Sequence, residues 1–229
     1  MTLSLAGRIF CGATMNTLTK LALGLMGQLK AQPNAGDAQA VMALPPAQTS
    51  GGVPLMEALR QRQSQREFRP DPLAPQLLSN LLWAACGVNR TELGGRTAPS
   101  AMNAQEVDLY VALPQGLYLY DPKAQALRLT VASDVRRVTG YQDFVDNAPM
   151  DLVFVADHAR MKLVPASARE SYASVAAGAM AQNIYLFCAS TGLAAVVRAW
   201  FDRQALTQAM GLSPDHQILL TQTVGYPKG

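Results

Sequence analysis

Arg62-Gln63-Ser64-Gln65-Arg66 places two guanidiniums and a hydroxyl at alternate positions. Along an extended segment, alternate residues share a face. Two forked cations and a hydroxyl on one face suit a phosphate joined to a polyol chain. A second polar piece is Arg96-Thr97-Ala98-Pro99-Ser100-Ala101-Met102-Asn103. There Ser100 and Asn103 can present a hydroxyl and an amide to the edge of a flat ring, or can cap a short helix. A third piece, Gly192 to Asp202 (GLAAVVRAWFD), is an apolar strand running into an Asp-capped helix. Its backbone N–H groups could face a ligand or simply close the core. The fourth is the tail Val224-Gly225-Tyr226-Pro227-Lys228, which ends on a single cation.

Several chemistries are missing. The chain has no G-x-x-x-x-G-K-[ST], no G-x-G-x-x-G and no G-x-S-x-G, which argues against a P-loop enzyme, a Rossmann dehydrogenase and an α/β-hydrolase. Three cysteines (Cys11, Cys86, Cys188) make no disulfide framework, and His158 and His216 stand far apart, so no metal site is expected. Cys86 and Cys188 lie in apolar helical contexts and read as buried small side chains. His158 and His216 each follow an aspartate and read as exposed loop residues, and Tyr172 and Tyr185 as core or interface residues.

The elements that must position these pieces follow from length and patterning. The chain has 229 residues, 49% hydrophobic and 15% charged, enough for a core without staples. No apolar run reaches eighteen residues, so no stable membrane insertion is expected. The net charge of +3 comes from Arg8, Lys20 and Lys30; from Gln32 onward 16 basic residues balance 16 acidic ones, which leaves no basic face for nucleic acid.

Residues 1–31 read as a signal peptide or N-terminal extension. Met15 to Gln32 has Lys20 ahead of an apolar run, Leu21 to Leu29, and a small residue, Ala31, before Gln32. A periplasmic or exported location is expected if this signal operates, and a cytoplasmic one otherwise. Residues 32–53, rich in Ala, Pro, Gly and Gln, read as a linker or arm without strand or helix period.

The folded part spans 54–229. Helices are predicted over 54–62 and 75–86, a loop entering a short helix over 97–106, and short helices over 133–140 and 142–147. A long helix is predicted over 168–191 and a capped one over 202–210. Strands are predicted over 108–113 and 116–120 as a hairpin, 127–131 as an edge strand, 152–156 as a central strand, and 218–224 last. The class is α+β.

Taken in order, R-x-S-x-R, P-S-x-x-N and the G-L…W-F-D block resemble the nitroreductase family of flavoproteins, over about Leu55 to Lys228. R-T-A-P-S-A-M-N and a closing V-G-Y-P-K place the resemblance in one subgroup. It implies a central mixed or antiparallel sheet flanked by helices, in an intertwined homodimer with FMN at the subunit interface. Arg62, Ser64 and Arg66 would bind the FMN phosphate, ribityl chain and pyrimidine edge. Pro99, Ser100 and Asn103 would lie along the ring, supplied by the other subunit. Ala199 and Trp200 fall where the family places backbone N–H donors at flavin N5 and O4, and Lys228 would be a further phosphate contact. Two departures stand out: many members have Glu-Gly where this chain has Ala199-Trp200, and only Gly229 follows Lys228.

The implied activity is transfer of hydride from NAD(P)H, through flavin N5, to a nitroaromatic, quinone or similar acceptor, with no side chain assigned a catalytic role because the cofactor does the redox chemistry. The alternatives are an exported flavin electron relay without NAD(P)H activity, and an azoline-type dehydrogenase, for which the expected Lys-Tyr pair is missing.

Overall fold

The computed structural model describes residues 14–229. Arg8, Cys11 and the rest of residues 1–13 of the expected extension lie outside the described residues. In chain order come α1 (Thr17–Leu25), β1 (Gln32–Pro33), β2 (Val41–Ala43), α2 (Leu55–Gln61), α3 (Pro75–Cys86), β3 (Val88–Arg90) and β4 (Gly95–Arg96). Then follow β5 (Val107–Leu113), β6 (Gly116–Asp121), β7 (Ala126–Val131), β8 (Ser133–Asp134), β9 (Met150–Asp157), α4 (Ala166–Thr191), β10 (Ala194–Arg198), α5 (Arg203–Met210) and β11 (His216–Gly225).

The main sheet has seven strands in the order β10-β11-β9-β5-β6-β7-β2, each pair antiparallel. The hairpin β5–β6 turns through Pro114-Gln115 and closes on the pair Leu113 and Gly116. Strand period two splits the core. Leu109 and Val111 of β5, with Leu152 and Phe154 of β9, pack on one face with Leu81, Leu82 and Ile184 of α3 and α4. Tyr110, Ala112, Val153 and Val155 turn to the other face and pack with Leu29, Phe201 and Leu206. Each such apolar side chain contributes roughly 1.5–3 kcal/mol when fully buried.

Helix α4 is the spine. Its buried residues Ala173, Ala177, Met180, Ala181, Ile184, Tyr185 and Cys188 recur at helical spacing. Small residues on that stripe let the helix lie close to the sheet. It stops at Gly192, which takes φ +72 and donates its N–H to the Cys188 carbonyl; that left-handed conformation suits glycine.

Several sequence expectations are corrected. Residues 127–131 are not an edge strand, because β2 pairs outside β7. The segment 32–53, read without strand period, carries β1 and β2, two and three residues long. The short helices expected over 133–140 and 142–147 are single 3-10 turns at Arg136–Thr139 and Asp143–Asp146, and that over 97–106 is a 3-10 turn at Ala101–Asn103. Residues 14–31 pack on the body. Lys20 is fully buried, its Nζ 2.6 Å from Asp146 and 2.9 Å from the Gln142 carbonyl. Burial holds its ammonium below the usual lysine range, and Asp146 offsets part of that shift. No described helix is long and apolar enough to cross a membrane.

Candidate active site

Residues 62–69 leave α2 and run along the open side of β10, the terminal strand of the sheet. Gln65 donates its N–H to the Ala195 carbonyl at 3.0 Å. The chain's last residues then close on the same segment. Arg69 donates its backbone N–H to the Tyr226 carbonyl at 2.9 Å, Lys228 donates its own to the Glu67 carbonyl at 3.2 Å, and Phe68 bridges Pro227. The first, third and fourth polar pieces thus meet at one corner of the sheet. Beside them an open cavity of about 440 Å³ is lined by Arg62, Gln63, Gln65, Gly192, Leu193 and Pro227, among others.

The electrostatics of this corner discriminate between neighbouring cations. Arg60 is paired with Glu57, and Arg69 with Asp71 at 2.8 Å. Arg62, Arg66 and Lys228 have no carboxylate partner among the described residues. Arg62 instead lies over the Tyr185 ring, 5.2 Å from its centroid. Of these three cations only Arg62 lines the cavity; Arg66 and Lys228 lie on the adjoining segments.

The end of β10 is fixed by a buried anchor. Arg198 Nη2 lies 2.6 Å from Asp151 and donates to Thr223 Oγ1 at 2.7 Å, while Nη1 donates to the Thr139 carbonyl at 2.9 Å. The chain then emerges at Ala199 and Trp200, whose backbone N–H groups have no hydrogen-bond partner among the described residues. Such groups, left on a rigid strand end, are available to an acceptor. Trp200 is 50% exposed, and its ring meets Tyr141 at 5.4 Å between centroids.

Pro99, Ser100 and Asn103 lie elsewhere along α4. Their loop borders a small gap with Ala176 and Met180 of α4. Ser100 Oγ accepts the Gln105 N–H at 2.9 Å, and Gln105 Nε2 donates to the Gly94 carbonyl at 2.7 Å and to Asn103 Oδ1 at 3.2 Å. Met102, Asn103 and Gln105 all have positive φ (56, 53 and 51). Left-handed backbone at non-glycine residues costs of order 1–3 kcal/mol each, so this loop holds a shape its own local preferences oppose. Within the single chain, these three residues do not touch the cationic corner.

Tyr185, expected as a core or interface residue, is buried and also faces Ser64. Its hydroxyl lies 2.8 Å from Ser64 Oγ. The signal was available: a tyrosine on the buried stripe of an alanine-rich helix needs a polar partner for its O–H. Cys86 and Cys188 are buried and free as expected, and burial pushes the Cys86 thiol up to about 12 and raises that of Cys188 too. His158 and His216 are not simple exposed loop residues: both are half-buried, hydrogen-bonded to Gln217 and Ser213.

The sequence model of the nitroreductase family matches residues 59–226. A protein of Methanocaldococcus jannaschii, provisionally named a nitroreductase, is 31% identical over 163 residues, covering 66% of this chain and 82% of its own length. A crystal structure from Ralstonia eutropha JMP134, also provisionally named a nitroreductase, superposes with a TM-score of 0.84 at 51% identity, covering 88% of this chain and 96% of that one. A third, from a Desulfovibrio desulfuricans subspecies and described as a complex with FMN, shares the fold with a TM-score of 0.56 at 22% identity, covering 78% and 89%. With the antiparallel sheet, the R-x-S-x-R segment along its edge and the family match over most of the folded part, this chain belongs to the nitroreductase family of oxidoreductases.

Proposed function

We propose that the chain binds FMN and, as a homodimer, passes hydride from NAD(P)H to a nitroaromatic, quinone or similar acceptor. The observation that carries this reading is the cationic corner, where Arg62, Arg66 and Lys228 lack carboxylate partners among the described residues while Arg60 and Arg69 beside them are neutralised.

The donor set fits the cofactor. Arg62 and Lys228 would hold the phosphate dianion, Ser64 the ribityl hydroxyls and Arg66 the pyrimidine edge. The free N–H groups of Ala199 and Trp200 would hold the polar edge of the ring. Bound FMN supplies two-electron redox chemistry at N5, so the protein's part is to bind, orient and tune. The Arg198–Asp151 anchor keeps the two N–H donors from drifting. Trp200, where many relatives have glycine, places an aromatic wall beside that edge and narrows entry for acceptors.

Pro99, Ser100 and Asn103 would reach the ring of the partner subunit's site, which accounts for a strained polar loop away from its own chain's cations. Dimer formation also accounts for exposed apolar residues on two adjoining helices, Leu55, Met56 and Leu59 on α2 and Tyr172 and Val175 on α4.

The test is calorimetric titration of the flavin-free chain with FMN and with riboflavin. Tight FMN binding, with riboflavin about 100-fold weaker for want of charge-assisted bonds to its phosphate, supports the assignment. Equal affinity for the two ligands removes the phosphate role from the corner.

A further inference from the structure

Resting on the FMN reading above, we infer that Tyr185 is a positioning residue, which ties the Ser64 hydroxyl to the strand that delivers the Ala199 and Trp200 N–H groups. Its phenol oxygen lies 2.8 Å from Ser64 Oγ and accepts the Val197 N–H at 2.8 Å. Val197 is two residues ahead of Ala199 on β10, and its N–H points away from the sheet.

The geometry orders this small network. As the terminal strand, β10 leaves a row of backbone groups without a strand partner. Two of them are covered: the Ala195 carbonyl by the Gln65 N–H, and the Val197 N–H by Tyr185 Oη. Tyr185 is 6% exposed. A buried O–H without an acceptor costs free energy, and Ser64 Oγ is the acceptor in reach. The phenol proton therefore goes to Ser64. That fixes the Ser64 oxygen and leaves the serine's own proton free to turn outward to a ligand hydroxyl. Arg62, stacked over the same ring, is steered by the same side chain. One residue on α4 thus sets the spacing between the segment assigned to the phosphate and ribityl chain and the strand end assigned to the ring edge.

The test is a double-mutant cycle on FMN affinity, read by quenching of flavin fluorescence, with Y185F, S64A and the double variant. Y185F keeps the ring, its packing and the Arg62 contact, and removes only the hydroxyl. Y185F is expected to weaken FMN binding about five- to tenfold, within the range of one lost hydrogen bond, and S64A to do the same. The double variant should be no weaker than either single one, because both break one unit. A merely structural role would lower the melting temperature and leave the two losses multiplying. Unchanged affinity in Y185F, or multiplying losses, overturns the inference while FMN binding stands. If Y185F does not fold, S64A at its solvent-facing position still decides, since unchanged affinity there also overturns it. A wild-type chain that binds no FMN overturns the flavin reading itself, and this inference with it.

Discussion

Arg66 and Glu106 show how single side chains report on this fold. Arg66 has no carboxylate partner among the described residues, so its removal leaves no orphaned charge behind. R66A is expected to leave the melting temperature nearly unchanged and to weaken FMN binding by about 10- to 100-fold, the range of a charge-assisted contact. R69A, which breaks only the exposed pair with Asp71, should change FMN affinity less than twofold. Equal losses in the two variants would contradict the division between paired and free cations. Glu106 is fully buried, and neither carboxylate oxygen has a hydrogen-bond partner among the described residues. Burial raises its pKa above the unfolded value, and the charges of Arg160 and Arg96 counter only part of that. With the folded value above the unfolded one, the ionised group costs stability at neutral pH, and the cost begins to fall as pH drops below the folded value and is gone below the unfolded one. E106Q is expected to stabilise the chain at pH 7 by about 1 kcal/mol, with the gain shrinking in acid, as read by urea unfolding at several pH values. A destabilised E106Q at pH 7 would mean that the carboxylate has a partner worth keeping.

At the scale of elements, α1 makes the sharpest claim. Lys20, Asp146 and Arg137 form a buried cluster between this helix and the body, and Leu29 fills the core beneath α5. K20M is expected to cost about 2 kcal/mol of unfolding free energy, less than for a lone buried pair because Asp146 keeps Arg137. A chain beginning at Gln32 lacks both Lys20 and Leu29 and should melt below one beginning at Met15; equal melting temperatures would show that α1 contributes no stability. Much of the element pattern was legible beforehand. The apolar run 152–156 marked β9, the small-residue period marked α4, and Pro114-Gln115 marked the β5–β6 turn. What escaped were pieces too short to carry a period. β1 and β2 are defined by partners β8 and β7 far along the chain, not by their own residues. The same reason hid the α1 contacts: the partner of Lys20, Asp146, lies 126 positions away. In the site, the spacing of Arg62, Ser64 and Arg66 was readable, whereas Tyr185 and the Arg198–Asp151 anchor depend on which elements lie side by side.

At the scale of the molecule, the cationic corner with the end of β10 and the strained Ser100–Asn103 loop do not meet within the single chain. On the proposed reading, a second copy would seat this loop over the corner and complete one shared site. Light scattering is expected to give twice the 24.5 kDa chain mass. V175E, which charges an exposed apolar position on α4, should shift the protein toward monomer and weaken FMN binding in parallel. Monomeric V175E with undiminished FMN affinity would contradict a shared site. The central claim, that this corner holds a flavin reducible by a nicotinamide, is tested most directly by the visible spectrum of the purified chain after gel filtration with FMN, followed without oxygen by NADPH and then NADH. The account predicts a flavin band that travels with the protein and bleaches on adding one of the nicotinamides. A band that travels but does not bleach would contradict the hydride donor and favour an electron relay, and a colourless protein would contradict the cofactor itself.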